Sequence, residues 1–246
     1  MKILGVIPAR YESTRLPGKP LADICGKTLI RRVYEQAAKS SRLRRLLVAT
    51  DDERILAEVR SFGGECVLTS REHPNGTSRV AEAAESCDAD IVINIQGDEP
   101  LLDPVMIDET AQVLAEDGTV PSSTLCVPLK DDGAVRDPNT VKVVLDLRGY
   151  ALYFSRSPIP FVRVKTGCPV YRHIGIYGFR KDFLNTYVGL PATPLSSAES
   201  LEQLRILDHG YAMKVAVTKA EAGPGVDTPE DLEAVRDQGA AGLHDR

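Results

Sequence analysis

Apolar residues fall into two rhythms along the first half of this chain. Short continuous apolar runs that stop at polar residues alternate with stretches spaced three and four apart. Runs buried on both faces, separated by amphipathic helices, are the signature of a parallel sheet with crossover connections. Residues 3–7 predict the first strand, and Leu29, Ile30, Val33 and Ala37 a helix after it. Residues 46–50 predict a buried strand that stops at Asp51-Asp52. Ile55, Leu56, Val59 and Phe62 mark a second helix ended by Gly63-Gly64, and 66–68 a short strand. The polar segment 70–79 reads as a loop, with Thr77 as the cap of a helix running through Val80, Ala81 and Ala84. Residues 91–95 form a further strand delivering Gln96-Gly97-Asp98-Glu99-Pro100, and Asp103-Pro104 opens the next helix.

From about 120 to 180 the rhythm changes. Strand-like pieces at 140–145, 151–154 and 174–180 follow one another without helices between them, which predicts an inserted β-rich lobe. The chain then returns to a helix over 199–207, a strand over 213–217 and a last helix opened by Asp227-Thr228-Pro229-Glu230. With 246 residues, 43% of them hydrophobic and 26% charged, the pattern predicts one compact α/β unit spanning 1–246, the lobe included. The formal charge of −5 argues against sequence-independent nucleic-acid binding, so any phosphate must be held locally. Five scattered cysteines without a Cys-x-x-Cys pair predict a reduced, cytoplasmic protein. The apolar start is too short for a signal peptide, and no later run approaches a membrane span, so no membrane partner is expected.

Ligands of open parallel sheets sit beyond the carboxyl ends of the strands. The loop after the first strand is long for a strand-to-helix turn and gathers Arg10, Arg15 and Lys19, with Ser13, Thr14 and Gly18 between them. Two guanidinium forks and an ammonium suit a triphosphate; the alternative is a solvated basic loop. Gly26-Lys27-Thr28 imitates the end of a P-loop, but Leu21 stands where the required glycine would fall, and no Gly-x-Gly-x-x-Gly follows the first strand. Asp98, just past a buried strand, is the first candidate to hold a divalent cation, or else it caps the following turn. Asp227 is the second, against the ordinary reading of an acidic helix start before Pro229.

Together the motifs are more specific than any one of them. Ile7-Pro8-Ala9-Arg10-Tyr11-x-Ser13-x-Arg15-Leu16-Pro17-Gly18-Lys19-Pro20-Leu21, Asn94-x-Gln96-Gly97-Asp98-Glu99-Pro100, Tyr153-Phe154-Ser155-Arg156-Ser157-Pro158-Ile159-Pro160, His173-Ile174-Gly175-Ile176-Tyr177, Glu199-Ser200-Leu201-Glu202-Gln203-Leu204-Arg205 and Gly225-Val226-Asp227-Thr228-Pro229-Glu230-Asp231 run end to end and in order. The sequence resembles the CMP-Kdo synthetases (3-deoxy-manno-octulosonate cytidylyltransferases). The resemblance implies a Rossmann-like nucleotide-diphospho-sugar transferase fold and a homodimer associating through the β-rich lobe. It implies transfer of CMP from CTP to the sugar acid Kdo, with release of pyrophosphate, for lipopolysaccharide inner-core synthesis. It also implies that Arg10, Ser13, Arg15 and Lys19 line the triphosphate, that the Pro74-Asn75-Gly76-Thr77-Ser78-Arg79 segment sits near cytosine and ribose, and that Asp98 and Asp227 hold Mg2+. Gln96, Arg156, His173, Tyr177, Glu202 and Gln203 would surround the sugar. Lys19, Asp98 and Asp227 are thus the expected catalytic groups and Thr77 and Arg79 nucleotide contacts. The family usually carries an acidic residue after Gly-Thr; here that position is Ser78, which leaves open a Kdo derivative such as 8-amino-Kdo, or another acidic sugar such as sialic acid. No general base is evident.

Overall fold

The computed structural model describes residues 1–12, 15–129, 131–164, 167–220 and 223–242, the last four of these by backbone alone. In chain order the elements are β1 (Ile3–Ala9), the small hairpin β2 (Asp23–Ile24) and β3 (Lys27–Thr28), α1 (Leu29–Ala37), β4 (Arg45–Thr50), α2 (Glu53–Ser61), β5 (Cys66–Leu68), α3 (Gly76–Glu85), β6 (Ile91–Asn94) and α4 (Pro104–Glu116). There follow β7 (Ser122–Leu129), α5 (Asp132–Arg136), β8 (Lys142–Leu145), β9 (Ala151–Ser155), β10 (Val170–Arg180), α6 (Lys181–Val188), α7 (Pro194–Glu199), α8 (Leu204–Asp208), β11 (Met213–Val217) and α9 (Pro229–Gly242). The chain forms two compact units, one of Met1–Asp108 with Ala220–Arg246 and one of Glu109–Lys219.

In the first unit β1 pairs in parallel with β4 and β6, and β4 with β5. The apolar runs are continuous because both faces of these strands are covered: Val6, Ile7, Leu47, Val48, Ile91, Val92 and Ile93 have no exposed surface. The helices press one stripe each on that sheet, Leu29, Ile30, Val33 and Ala37 from α1, Ile55 and Val59 from α2. Thr28 caps α1 and Asp52 caps α2 by accepting the amides of Arg31 and Arg54. Helix α3 starts earlier than the sequence suggests. Asn75, not Thr77, is its cap, accepting the Ser78 amide, so the expected loop over 70–79 ends at Asn75. Thr77 lies inside the first turn and is buried.

The second unit is mixed. β11 runs parallel to β7, β7 antiparallel to β10, β10 antiparallel to β8, and β8 antiparallel to β9. The strand-like pieces expected over about 120–180 fall within it, with two differences. A short helix, α5, interrupts them, capped by Asp131 through the amides of Gly133 and Ala134. Of the helix expected over 199–207 only the second half forms, as α8, because Ser200 takes a left-handed conformation (φ 51°) that ends the preceding α7 at Glu199. Buried apolar side chains of this unit include Leu125, Cys126, Val143, Phe154, Ile176 and Leu204.

Candidate active site

The parallel register Pro8↔Ala49, Ala9↔Thr50 and Val6↔Asn94 brings the carboxyl ends of β1, β4 and β6 to one edge of the first unit. Gly97 passes so close to β1 that a Cβ there would lie 2.9 Å from the Pro8 carbonyl oxygen, and Asp98 follows it directly. The Val226 amide donates to the Asp98 carbonyl at 2.8 Å, which ties the segment ahead of α9 to the same place. The start of α9 is a reciprocal cap. Asp231 Oδ2 accepts from the Asp227 and Thr228 amides at 3.0 and 2.9 Å, while Thr228 Oγ1 accepts from the Asp231 amide at 3.2 Å. Capping is therefore the work of Thr228 and Asp231, and the Asp227 carboxylate points elsewhere.

It points at Lys19. The ammonium stands 2.9 Å from Asp98 Oδ2 and 3.1 Å from Asp227 Oδ1, and Arg15 Nη2 reaches the same Asp227 oxygen at 3.1 Å. Lys19 is 16% exposed. Burial works against its charge, but the charge of Asp98 and the hydrogen bonds to both carboxylates outweigh it, so its pKa lies above the ordinary lysine value. Two carboxylates from chain positions 129 residues apart (227 − 98) thus share one cation. Sequence alone left each of them with a capping alternative; the geometry assigns both to a shared charge cluster.

The remaining residues expected on this edge divide. Arg10 is half-buried and donates through Nη2 to the His73 carbonyl at 2.7 Å. His73 in turn pairs with Glu82 on α3. Thr77 Oγ1 accepts from Asn94 Nδ2 at 3.2 Å, joining α3 to the strand that delivers Gln96 and Asp98. Ser78 Oγ donates to the Asn75 carbonyl at 2.9 Å. Arg79 is completely buried, with Nη2 2.7 Å from Asp51 Oδ2 and Nη1 2.5 Å from Thr69 Oγ1, so its guanidinium fastens α3 to the segments after β4 and β5 and shows no surface to a ligand. Gln96 is half-buried two residues past the end of β6. Ser13 lies outside the described residues.

Apart from Gln96, the sugar-side candidates belong to the second unit. His173 on β10 is 9% exposed, and burial pushes its pKa down to about 3, so the ring is neutral at pH 7. Its Nε2 is 2.9 Å from Thr124 Oγ1, and that hydroxyl lies 2.7 Å from the Ile176 carbonyl. One hydroxyl proton serves the carbonyl, so Nε2–H donates to Thr124 and Nδ1 keeps the lone pair. Phe154 meets the ring edge-on at 4.9 Å and Tyr177 lies tilted at 5.5 Å. Tyr177 OH donates to Gln203 Oε1 at 3.4 Å, while Gln203 Nε2 is buried with no partner among the described residues. Glu202 is exposed, and its carbonyl accepts from Tyr187 OH. Arg156 is held by backbone: Nε donates to the Glu199 carbonyl at 2.8 Å and Nη1 to the Pro138 carbonyl at 2.9 Å, and its amide donates to Glu199 Oε2 at 2.9 Å. Thr124 carries no signal in the sequence, since a lone threonine in an apolar run reads as strand packing. Glu199, which anchors Ser155 and Arg156, was visible only as the first letter of a motif.

Comparison with known proteins shows the family to which the chain belongs. A family model described as "Cytidylyltransferase" matches residues 4–215. The 3-deoxy-manno-octulosonate cytidylyltransferase of Syntrophotalea carbinolica is 51% identical over 244 residues, covering 96% of this chain and 97% of the relative. The enzyme of the same name from Aliivibrio fischeri is 51% identical over 246 residues, covering 96% and 98%. A solved structure of CMP:2-keto-3-deoxy-manno-octonic acid synthetase complexed with CTP superposes with a TM-score of 0.94 at 44% identity, covering 98% of this chain and 99% of the other.

Proposed function

We propose, from the premise that this chain belongs to the cytidylyltransferase family, that it transfers CMP from CTP to 3-deoxy-manno-octulosonate, releasing pyrophosphate. The chain is a nucleotidyltransferase. The sugar acceptor is the one that its relatives' names carry, and it would make the product a donor for lipopolysaccharide inner-core assembly. The observation that carries the chemistry is the convergence of Asp98 and Asp227 on Lys19 at the carboxyl edge of a parallel sheet, with Arg15 on the same carboxylate.

That cluster fits a magnesium ion. Mg2+ is commonly bound by one or two carboxylates completed by water and substrate phosphates, and here two carboxylates already converge on the Lys19 ammonium, with Arg15 on one of them. Among the described residues no group of three or more His, Cys, Asp or Glu could hold a metal, so the phosphates of CTP would supply the remaining ligands. When bound by Asp98 and Asp227, the ion would polarise the phosphate oxygens and make the sugar hydroxyl more acidic. The protein's own share is positioning and charge. The sugar's anomeric hydroxyl attacks the α-phosphorus and gives up its proton to water, the bond from that phosphorus to the β-phosphate oxygen breaks, and pyrophosphate takes the electron pair. Arg15 and Lys19 neutralise charge on the departing phosphates, and Arg10, steadied by the His73 carbonyl, adds a third donor. His173, being neutral, offers hydrogen bonds and no charge to the sugar acid.

The reading predicts pyrophosphate release from CTP only when Mg2+ and Kdo are both present. Kdo, 8-amino-Kdo and sialic acid, compared side by side, assign the acceptor; no release with any of them ends the proposal. We further propose a cytoplasmic homodimer associating through the β-rich unit, in which Leu147, Leu152, Phe161 and Val164 are exposed apolar side chains. Sedimentation of the pure protein tests the dimer. Among the described residues no helix is long and apolar enough to cross a membrane.

A further inference from the structure

Two residues outside the groups assigned above are built into the phosphate loop. Gly18, the residue before Lys19, has φ 71°, a left-handed conformation that favours glycine. A Cβ at Gly18 would also lie 3.2 Å from Cζ and the hydroxyl oxygen of Tyr11, so the Tyr11 ring lies flush against this glycine. The Gly18 amide donates to the Tyr11 carbonyl at 3.0 Å, closing the loop on itself between those residues. Over the ring stands Arg54, with Cζ 3.2 Å from the ring centroid. Arg54 does not float there. Its Nε and Nη2 donate to the two oxygens of Asp52 at 2.9 and 2.6 Å, and Asp52 is the cap of α2 through the Arg54 amide. The fork, together with the backbone amides, holds the Asp52 pKa down to about 2.

We infer that Tyr11 and Arg54 are positioning residues of the phosphate loop: the Arg54 guanidinium, locked on the α2 cap, holds the Tyr11 ring where it packs against Gly18 and so fixes where Lys19 meets Asp98 and Asp227. The physical logic is one of leverage. Lys19 Nζ ends a flexible four-carbon stem, and its placement depends on a backbone that turns through a left-handed residue. A loop that leans on a few amide bonds such as those of Gly18 and Lys19 opens readily unless a side chain covers the turn. The aromatic face supplies that cover, and the planar cation fixes the ring's rotamer without touching substrate. Because the Asp52 carboxylate neutralises Arg54, the guanidinium adds little net field to the phosphate site, which separates its work from that of Arg15 and Lys19.

This inference rests on the proposed CTP chemistry for its kinetic test but has a readout that does not. In the ligand-free protein, Tyr11→Leu and Arg54→Ala are each expected to speed hydrogen exchange of the Gly18 amide by roughly tenfold, while Tyr11→Phe stays within about twofold of wild type. In steady-state kinetics with CTP, Mg2+ and Kdo, Tyr11→Leu should raise KM for CTP by about tenfold and leave KM for Kdo within about twofold, with Tyr11→Phe again near wild type. The double variant should be no worse than Tyr11→Leu alone, because both changes remove one contact. Unchanged Gly18 exchange in both single variants, or penalties that simply multiply, would overturn the inference. Equal losses for both substrates, accompanied by a fallen melting temperature, would overturn it too by marking a merely structural role. Failure of the wild-type protein to release pyrophosphate would count against the proposed function alone, since the exchange measurement stands without it.

Discussion

The two units handle polar side chains in opposite ways. In the first, Asp98 and Asp227 remain 31% and 46% exposed and are held by cations, Lys19 and Arg15. In the second, His173 and Gln203 are buried and neutral, and their partners are a hydroxyl and a phenol. Exposed opposite charges gain little from each other in water, so the first arrangement is poorly explained as a stabilising device. It is well explained as a place where charge must be exchanged with a ligand. Burying a neutral polar atom without a partner, as at Gln203 Nε2, costs about 1–3 kcal/mol, which makes sense where a sugar hydroxyl or carboxylate can supply the bond. The Lys19 cluster gathers charge; the His173–Gln203 network is neutral.

The sharpest way to break this contrast is to remove the charges. Asp98→Ala and Asp227→Ala should each lower kcat by roughly a thousandfold or more in a pyrophosphate-release assay with CTP, Mg2+ and Kdo. Each should leave the melting temperature within a few degrees, because the carboxylates are partly exposed and the α9 cap does not use the Asp227 side chain. Near-normal turnover in Asp98→Ala would sink the metal assignment. A collapse in melting temperature would instead make the cluster structural.

Legibility followed the same division. The strands of the first unit could be read because both faces are covered by helices, so β1, β4 and β6 are unbroken apolar runs. β7 was not named from the sequence, since it opens Ser122, Ser123, Thr124, three hydroxyl residues that would ordinarily signal a turn. All three are fully buried because each hydroxyl finds a carbonyl: Ala212 for Ser122, Thr110 for Ser123 and Ile176 for Thr124. Such long-range satisfaction leaves no trace in local pattern. The break between α7 and α8 is equally silent, since nothing local marks Ser200 as left-handed. The charge cluster was half legible: strand-end position singled out Asp98, but only the reciprocal cap of Thr228 and Asp231 reveals that Asp227 is spare. Arg79, expected near the nucleotide by resemblance, is sequestered by Asp51 and Thr69.

An intermediate effect probes the neutral region through pH. Burial depresses His173 to about 3, whereas an unfolded histidine titrates near 6.5. Above about 6.5 both states are neutral and the residue contributes no pH dependence; as pH falls below that value the unfolded chain takes up a proton that the native one refuses. Stability should therefore drop between about pH 6.5 and 3, by up to a few kcal/mol from this residue alone. His173→Gln should flatten that slope in denaturant titrations read by circular dichroism, and imidazole nitrogen shifts of the native protein should stay flat from pH 8 to about 4. A ring that titrates near 6 in the native state would place charge in the His173–Gln203 network and erase the contrast with the Lys19 cluster.

Lys142 sharpens the comparison from inside the second unit. Its ammonium is completely buried yet faces no carboxylate at bonding distance among the described residues, donating instead to the carbonyls of Asp137, Thr140 and Arg156 at 3.0, 2.6 and 2.5 Å. Desolvation lowers its pKa. Lys142→Met would leave three carbonyls short of a donor and loosen the backbone that carries Arg156, at a cost of about 2–4 kcal/mol measured by urea unfolding. With Kdo as the varied substrate, KM should rise by about threefold to tenfold while KM for CTP stays within about twofold, since Arg156 is the group affected.

The smallest effect is expected at Ser78, the position that the sequence resemblance left open for acceptor choice. Its side chain only donates to the Asn75 carbonyl one turn back, and its amide is already capped by Asn75 Oδ1. Position 78 lies in the first turn of α3, where an anionic side chain is favoured by the helix dipole and can reach back toward the cap. Ser78→Asp should therefore change stability by less than about 1 kcal/mol and leave kcat with Kdo within about threefold. Its informative readout is the ratio of kcat/KM for Kdo to that for 8-amino-Kdo. A shift of more than about tenfold in that ratio would mean that charge at this helix start helps choose the acceptor, so that the first unit reads the sugar as well as the phosphates. An unchanged ratio would leave acceptor choice to the neutral, buried groups around His173 and Gln203.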